Sequence, residues 1–246
     1  MKLVRIVLSA ACFALGALAA VQSPASGFSL APTSRSALEG VAGDDKLVYA
    51  DFEKVMDNRP VSARGGYIKL YKNEENPSNL VRFKGTAGVP DAPEIVRLKK
   101  DDPNRALAFE YELRGPNQWA SVGVEIHGQP DSDGKPAPDD VSGYKFFSIQ
   151  LFVSGVPGVT VEFSSRGAGV VLQNGVGPQM SFKVGNGMNT YRVPLNTIKQ
   201  PQWVDNKTDP KDVLKKLTHV NVLVSCGPCS QPVNGTVAMD NLVFEK

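Results

Sequence analysis

Two histidines, three cysteines and two tryptophans are all that 246 residues contain, and each scarcity narrows the chemistry. His127 and His219 alone do not make a histidine-rich transition-metal centre. No Gly-x-Ser-x-Gly elbow occurs, so a serine nucleophile of the hydrolase type lacks its strand-to-helix support. The glycine-rich stretches Gly167-Ala168-Gly169 and Gly175-Val176-Gly177 have no helix after them, which excludes a phosphate cradle and leaves tight turns between strands. Lys and Arg are scattered and the formal net charge is only +2, so no polyanion footprint marks the chain and nucleic acid is not an expected partner. Beyond the first twenty residues no apolar run is long enough to span a bilayer.

Residues 1–20 carry Lys2 and Arg5, then an apolar stretch, then Ala17-Leu18-Ala19, the pattern of a secretory signal peptide. Cys12 follows Ser9-Ala10-Ala11, but the apolar run continues well past it, which disfavours lipidation at that thiol. Residues 21–45 are rich in Ala, Ser, Pro and Gly with little periodicity and suit a leader or tether. Residues 46–246 then form one domain of the larger all-β kind, exported to a secreted or periplasmic location.

From Lys46 onward, short alternating runs are separated by Gly, Pro, Asn and Asp clusters, the pattern of a sandwich or barrel. Strands are expected at 47–52, 66–71, 80–84, 95–98, 106–113, 120–127, 145–153, 159–164, 169–173, 180–184, 189–194, 219–224 and 236–244. One helix is expected at 210–217, with Asp209 as N-cap, Pro210 in the first turn and Lys215 and Lys216 near its negative end. Alternation puts Val122, Val124 and Ile126 inward and leaves Glu125 and His127 on the other face beside a bare Gly123. By the same rule Phe147, Ile149, Leu151 and Val153 face the core, so Gln150 and Phe152 face out, as does Arg192. Were these strands in one sheet, Glu125, His127, Gln150, Arg192 and Asn221 would share a polar outer surface.

Cys226-Gly227-Pro228-Cys229 spells a thioredoxin-type redox motif, but a strand precedes it and Ser230-Gln231-Pro232 cannot open a useful helix after it. The motif therefore reads as the tip of a β-hairpin closed by a Cys226–Cys229 disulfide, which an oxidising compartment favours. Asp131-Ser132-Asp133-Gly134 with Asp139-Asp140 fails as an EF-hand, since Lys135 and Pro136 fall where an oxygen ligand and a glycine are needed. Glu110, Glu112, Glu125 and Glu162 lie on expected strands, but no spacing selects a glycosidase pair. Trp119 follows a turn and Trp203 lies in a long loop, so both suit rim or core anchors as well as ligand platforms.

The opening Leu47-Val48-Tyr49-Ala50-Asp51-Phe52-Glu53, the central Ala106-Leu107-Ala108-Phe109-Glu110-Tyr111, the run Thr190-Tyr191-Arg192-Val193-Pro194-Leu195 and the closing Gly235-Thr236-Val237-Ala238-Met239-Asp240-Asn241-Leu242-Val243-Phe244 together resemble secreted carbohydrate-binding jelly rolls. The nearest resemblance is to family-eleven carbohydrate-binding modules and the domain of the complex I intermediate-associated protein, both galactose-binding-like. The resemblance spans residues 46–246 and implies a two-sheet antiparallel β-sandwich with one short helix near the C-terminus. It implies a structural calcium ion, mapped onto Asp51, Glu53 and Asp240, whose carboxylates would tie the terminal strands together; the other reading is that these acids cap turns or face solvent. It also implies a glycan cleft on one sheet, where relatives place several aromatics and this chain offers Trp119, Phe152, Tyr144 and Trp203. The resulting expectation is a non-catalytic module binding a polysaccharide or oligosaccharide through Trp119, Glu125, His127, Gln150 and Arg192. The alternatives are an assembly domain meeting another envelope or secreted protein on the same sheet, and a glycoside-acting enzyme.

Overall fold

The period-two runs fold as the sequence implies. In the computed structural model, residues 45–56, 59–72, 80–83, 95–97, 101, 103–127 and 137–246 are described. The expected signal peptide, Cys12, nearly all of the leader and the acidic stretch 131–134 lie outside those residues.

Fourteen strands form among the described residues: β1 (Lys46–Ala50), β2 (Val55–Met56), β3 (Arg59–Pro60), β4 (Ile68–Lys72), β5 (Leu80–Phe83), β6 (Ile95–Arg97), β7 (Arg105–Leu113), β8 (Gln118–Glu125), β9 (Phe146–Val153), β10 (Gly158–Ser164), β11 (Gln179–Lys183), β12 (Asn189–Pro194), β13 (His219–Cys226) and β14 (Val233–Glu245). A seven-stranded sheet runs β12-β9-β14-β7-β5, with β1 on β14 and β6 on β7; a five-stranded sheet runs β11-β10-β13-β8-β4. Apart from the small β2-β3 ladder, every strand belongs to one of these two layers. All pairings are antiparallel, so the architecture is the expected two-sheet β-sandwich.

The inward sets of the two layers make one core. Val122 and Val124 of β8, Val161 and Phe163 of β10 and Val220, Val222 and Val224 of β13 meet Leu107 and Phe109 of β7, Phe147 and Ile149 of β9 and Phe244 of β14. Phe163 reaches across the layers to Phe147 in an edge-on contact at 5.3 Å between ring centroids, and to Phe244 at 6.3 Å. The buried Tyr49 hydroxyl donates to the Val124 carbonyl at 2.5 Å, so the phenol spends its one donor across the layers. Burial pushes the Tyr49 hydroxyl well above the usual phenol range, the backbone hydrogen bonding notwithstanding.

Three expectations are corrected. The helix, α1 (Pro210–Leu214), is shorter than 210–217; Asp209 caps it by accepting from the Lys211 N–H, and the chain turns out at Lys215. Residues 169–173 form no strand; a single 3-10 turn at Gln173–Gly175 follows instead, with Asn174 and Gly175 in left-handed backbone. The largest change is at the C-terminus, where β13 and β14 are not a hairpin. β13 pairs with β8 and β10, whereas β14 pairs with β7, β9 and β1, so the cysteine loop crosses from one layer to the other. Two adjacent strands cannot be assigned to one sheet from alternation, because each buries its own inward face wherever it pairs.

The Cys226–Cys229 disulfide forms, with Cα atoms 5.7 Å apart. Its loop clasps the turn before β8: the Asn117 N–H donates to the Gly227 carbonyl at 2.8 Å, and the Cys229 sulfur lies 3.5 Å from the Gly115 carbonyl oxygen. So small a ring adds little by loop closure, and its effect is to hold that turn and the start of β8.

Candidate functional site

The outer faces of the two sheets differ in chemistry. On the seven-stranded sheet, β7, β9 and β14 turn outward Ala108, Phe152 and Ala238, and Met188 from the loop before β12 covers them as a small apolar cluster. Beside it, Arg192 donates to Glu245 at 3.0 Å and lies over the Phe146 ring at 3.3 Å from its centroid, while Ser148 donates to the other oxygen of Glu245 at 2.8 Å. Hydrogen bonds from Ser148 and Arg192 outweigh burial and hold the Glu245 carboxyl below its ordinary range. Arg192 is thus committed to an ion pair and a cation–π contact.

On the five-stranded sheet the outward positions are polar almost throughout. Strand register lines up Gln179, Glu162, Asn221, Gly123 and Lys69 as one row across all five strands. A second row runs Ser181, Thr160, Leu223, Ser121 and Tyr71. Asn221 Nδ2 donates to Glu162 Oε1 at 3.0 Å, and the hydroxyls of Thr160 and Ser181 are 2.8 Å apart. Gly123 lets its neighbours close in on the middle of the first row: a Cβ there would stand 2.7 Å from Asn221 Oδ1 and 2.8 Å from Tyr71 Cε2. Two planar side chains therefore close over the backbone at Gly123, which is buried. Tyr67 and Trp119 add to the aromatic content of this face among the described residues, Tyr67 being 44 % exposed and Trp119 partly buried opposite Ser225.

Charges on this face are paired unevenly. Glu125 is only 7 % exposed and receives Lys69 Nζ at 2.6 Å, with His219 Nε2 3.4 Å away. Burial pushes its carboxyl up, but the hydrogen bonds from His219 and Lys69 and their charges outweigh burial, and the net shift is downward. His219 Nδ1 lies 2.8 Å from the Thr218 hydroxyl, which fixes the ring. Glu162 behaves in the opposite way. Burial dominates there, the Asn221 hydrogen bond and the charge of Arg166 only partly offset it, and the carboxyl rises to about 7.

The expected ligand residues do not share one surface. Glu125, Trp119 and Asn221 belong to the five-stranded sheet, whereas Gln150 and Arg192 lie on the seven-stranded sheet and face the other way. The condition of a single sheet fails, because β8 and β9 sit in different layers although they follow one another along the chain. Glu125 and His127, expected on one face, have different partners. His127 lies past the end of β8, bridged to Gly65, with Nε2 3.8 Å from Asp139 Oδ2, and burial and then the charge of Arg64 lower its pKa. Trp203 is 61 % exposed in its loop. Sequence reasoning passed over Lys69, Tyr71, Thr160 and Arg166 and gave Glu162 no place on this face; the alternation of Tyr67, Lys69 and Tyr71 was the available signal.

The acids of the terminal strands gather where both strands are irregular: register shifts occur between Val48 and Ala50 in β1 and between Asp240 and Val243 in β14. Asp240 is 0 % exposed, accepts from Asn104 Nδ2 at 2.9 Å, the Asn241 N–H at 2.7 Å and Asn241 Nδ2 at 3.0 Å, and sits at about 7. Burial is the main cause, and the charges of Asp51 and Glu53 push the same way. Glu53 Oε1 accepts from the Arg105 N–H at 2.7 Å. The all-oxygen donor set of Asp51, Glu53 and Asp240 suits a hard divalent cation in kind. Among the described residues, however, no three His, Cys, Asp or Glu side chains form a ready metal-binding group, so a cation there would draw its remaining ligands from backbone and amide oxygens.

No protein-family model matches the sequence, and no curated protein matches it significantly. Solved structures do. A family 11 carbohydrate-binding module from Clostridium thermocellum, in complex with a β-1,3-1,4-mixed-linked tetrasaccharide, superposes with a TM-score of 0.50 at 13 % identity, covering 82 % of this chain and 95 % of that one. The fold is a family-eleven-like jelly roll. The same type of module from a cellulosomal cellulase of Clostridium thermocellum matches at a TM-score of 0.49 and 13 % identity, covering 81 % of this chain and 94 % of the other. A family 30 module from a cellulosomal cellulase of that organism matches at 0.44 and 11 % identity, covering 64 % of this chain and 84 % of the other. At these identities the likeness establishes the jelly roll, and the residues of the outer face speak for themselves.

Proposed function

We propose that this jelly roll is an exported, non-catalytic module that binds a neutral oligosaccharide or polysaccharide on the outer face of its five-stranded sheet. The observation that carries this reading is the row Gln179–Glu162–Asn221–Gly123–Lys69, in which the missing side chain of Gly123 lets Tyr71 and Asn221 lie together over the strand. Sugar hydroxyls need donors and acceptors of fixed direction, which planar amides and carboxylates supply, and pyranose faces need flat apolar area, which Tyr71, Tyr67 and Trp119 can offer. Arg192 and Gln150 have no part in this face. The likeness to a module whose structure contains a mixed-linked tetrasaccharide supports a β-glucan as the first ligand to try. Export follows from the signal pattern of residues 1–20, and the disulfide suits an oxidising compartment.

Affinity electrophoresis in β-glucan, xylan and mannan gels, followed by calorimetry with oligosaccharides, tests the site. Gly123→Val pushes the Asn221 amide and the Tyr71 ring out of place and is expected to weaken binding by at least about tenfold, since the displaced atoms belong to side chains and the strand can persist. Asn221→Ala should weaken binding too, whereas Gln150→Ala and Arg192→Ala should leave it unchanged. Retardation by no polysaccharide would remove the proposal, and retardation lost only with Gln150 and Arg192 would move the site to the other sheet.

One observation favours a second reading, glycoside action on the same face. Glu125 is held low and Glu162 is raised to about 7, and carboxyls pushed apart in this way suit base and acid roles. Release of reducing sugar that disappears in Glu162→Gln would establish it; none across the bound polysaccharides would leave the binding role alone.

A calcium ion held through Asp51, Glu53 and Asp240 belongs to the same proposal. It would supply charge neutralisation between the terminal strands β1 and β14 and no chemistry at the glycan face.

A further inference from the structure

A cavity of about 420 Å³ opens at one end of the sandwich, where the start of β9, the segment after β12 and helix α1 converge. It has no part in the glycan face: β9 and β12 belong to the seven-stranded sheet. Its walls are apolar. Leu195 and Leu214 are buried, and the rings of Tyr144 and Phe146 are partly buried against the core and against Arg192. A volume of this size falls within the range of small-molecule sites and exceeds what a single unsubstituted ring needs.

The charged groups on its rim are mostly cationic, and the Asn196 amide beside them can donate or accept. Lys145 and Lys211 line it, both exposed, and neither makes an ion pair among the described residues. The carboxylate that also lines it, Asp209, uses Oδ1 to cap α1 by accepting the Lys211 N–H at 2.9 Å. The Ser142 hydroxyl donates to Asp140 at 2.7 Å and is spent outside the cavity. Two ammonium groups against one committed carboxylate leave a single positive charge over an apolar floor. A flat ring carrying one negative charge matches both the walls and the rim.

We infer that this cavity is a second ligand site, which takes a single-ring aromatic monocarboxylate with its ring against Tyr144, Phe146, Leu195 and Leu214 and its carboxylate between Lys145 and Lys211. The probe is 4-hydroxycinnamate, with its uncharged amide as control, titrated into the full chain by calorimetry and by backbone amide shifts. Saturable binding is expected that weakens with added salt, with shifts concentrated at Tyr144–Phe146 and Leu214. Lys145→Ala and Lys211→Ala should each weaken it by about fivefold and the pair together by more. Both lysines are exposed, so the folded state should survive their loss, and the thermal midpoint is recorded for each variant. The amide should bind at least about tenfold less tightly. Gly123→Val should change none of this, and the lysine variants should leave polysaccharide retardation unchanged, so the two sites fail or succeed separately. Absence of saturation, equal binding of acid and amide, or unchanged binding by the double lysine variant would overturn the inference.

Discussion

Asp240→Asn is expected to flatten the pH dependence of stability in chelator-treated protein. In the folded chain the Asp240 carboxyl sits at about 7, against 3.8 for the ordinary group. Between those values the folded state keeps a proton that the unfolded state has released, so stability falls as pH rises through this window. The contribution is fully present below the lower value and lost above the upper one. Three units correspond to on the order of 4 kcal/mol for a group buried this completely. The introduced amide carries no charge and removes the slope, although its NH2 must meet the amide nitrogens of Asn104 and Asn241, so those amides have to turn over. Glu162 slopes in the same direction by less, being partly exposed, and Glu162→Gln separates its share. Glu125 acts oppositely: its lowered carboxyl contributes stability above the ordinary carboxylate range that is lost as pH falls through its folded value. Thermal midpoints from about pH 2.5 to about pH 8 record all three, the Glu125 loss falling at the acid end.

Calcium changes the sign of this experiment. An ion on Asp51, Glu53 and Asp240 would favour the charged Asp240, so millimolar calcium should raise the midpoint above pH 7 and cancel the downward slope in the unsubstituted protein. Asp240→Asn should lose that gain. No calcium-dependent shift at any pH would leave these acids as a buried cluster in the protein's own electrostatics and end the expectation of a structural ion.

The second large effect is expected at Phe244. Its ring stands 4.9 Å from Phe147, 5.8 Å from Tyr49, 5.9 Å from Tyr144 and 6.3 Å from Phe163, centroid to centroid, and it is wholly buried. Phe244 lies opposite Leu47 of β1 and Phe147 of β9, so one side chain joins the terminal strands to the opposite layer. Phe244→Ala removes that hub and leaves a cavity between sheets that strand pairing keeps from collapsing, at a cost of about 3–5 kcal/mol. Urea unfolding should show the midpoint falling with little change in slope. Trp203→Ala, at an exposed loop position, should stay within about 0.5 kcal/mol of the parent. Similar losses at both positions would contradict the core assigned to β14.

Alternation alone identified most strands and the inward or outward sense of their residues. The sets Val122–Val124, Phe147–Ile149–Leu151 and Val220–Val222–Val224 are buried as read, and Gln150, Arg192 and Asn221 point outward as read. A strand's face is a local property, since successive side chains must project to opposite sides and the apolar set must leave water. Which strands share a sheet is not local. It follows from backbone pairing between segments far apart in the chain, and a strand satisfies its own pattern equally well in either layer. Hence only tertiary structure separated Glu125 from Arg192, sent β13 and β14 to different sheets, set Asn221 between Glu162 and Gly123, and buried Asp240 among other acids.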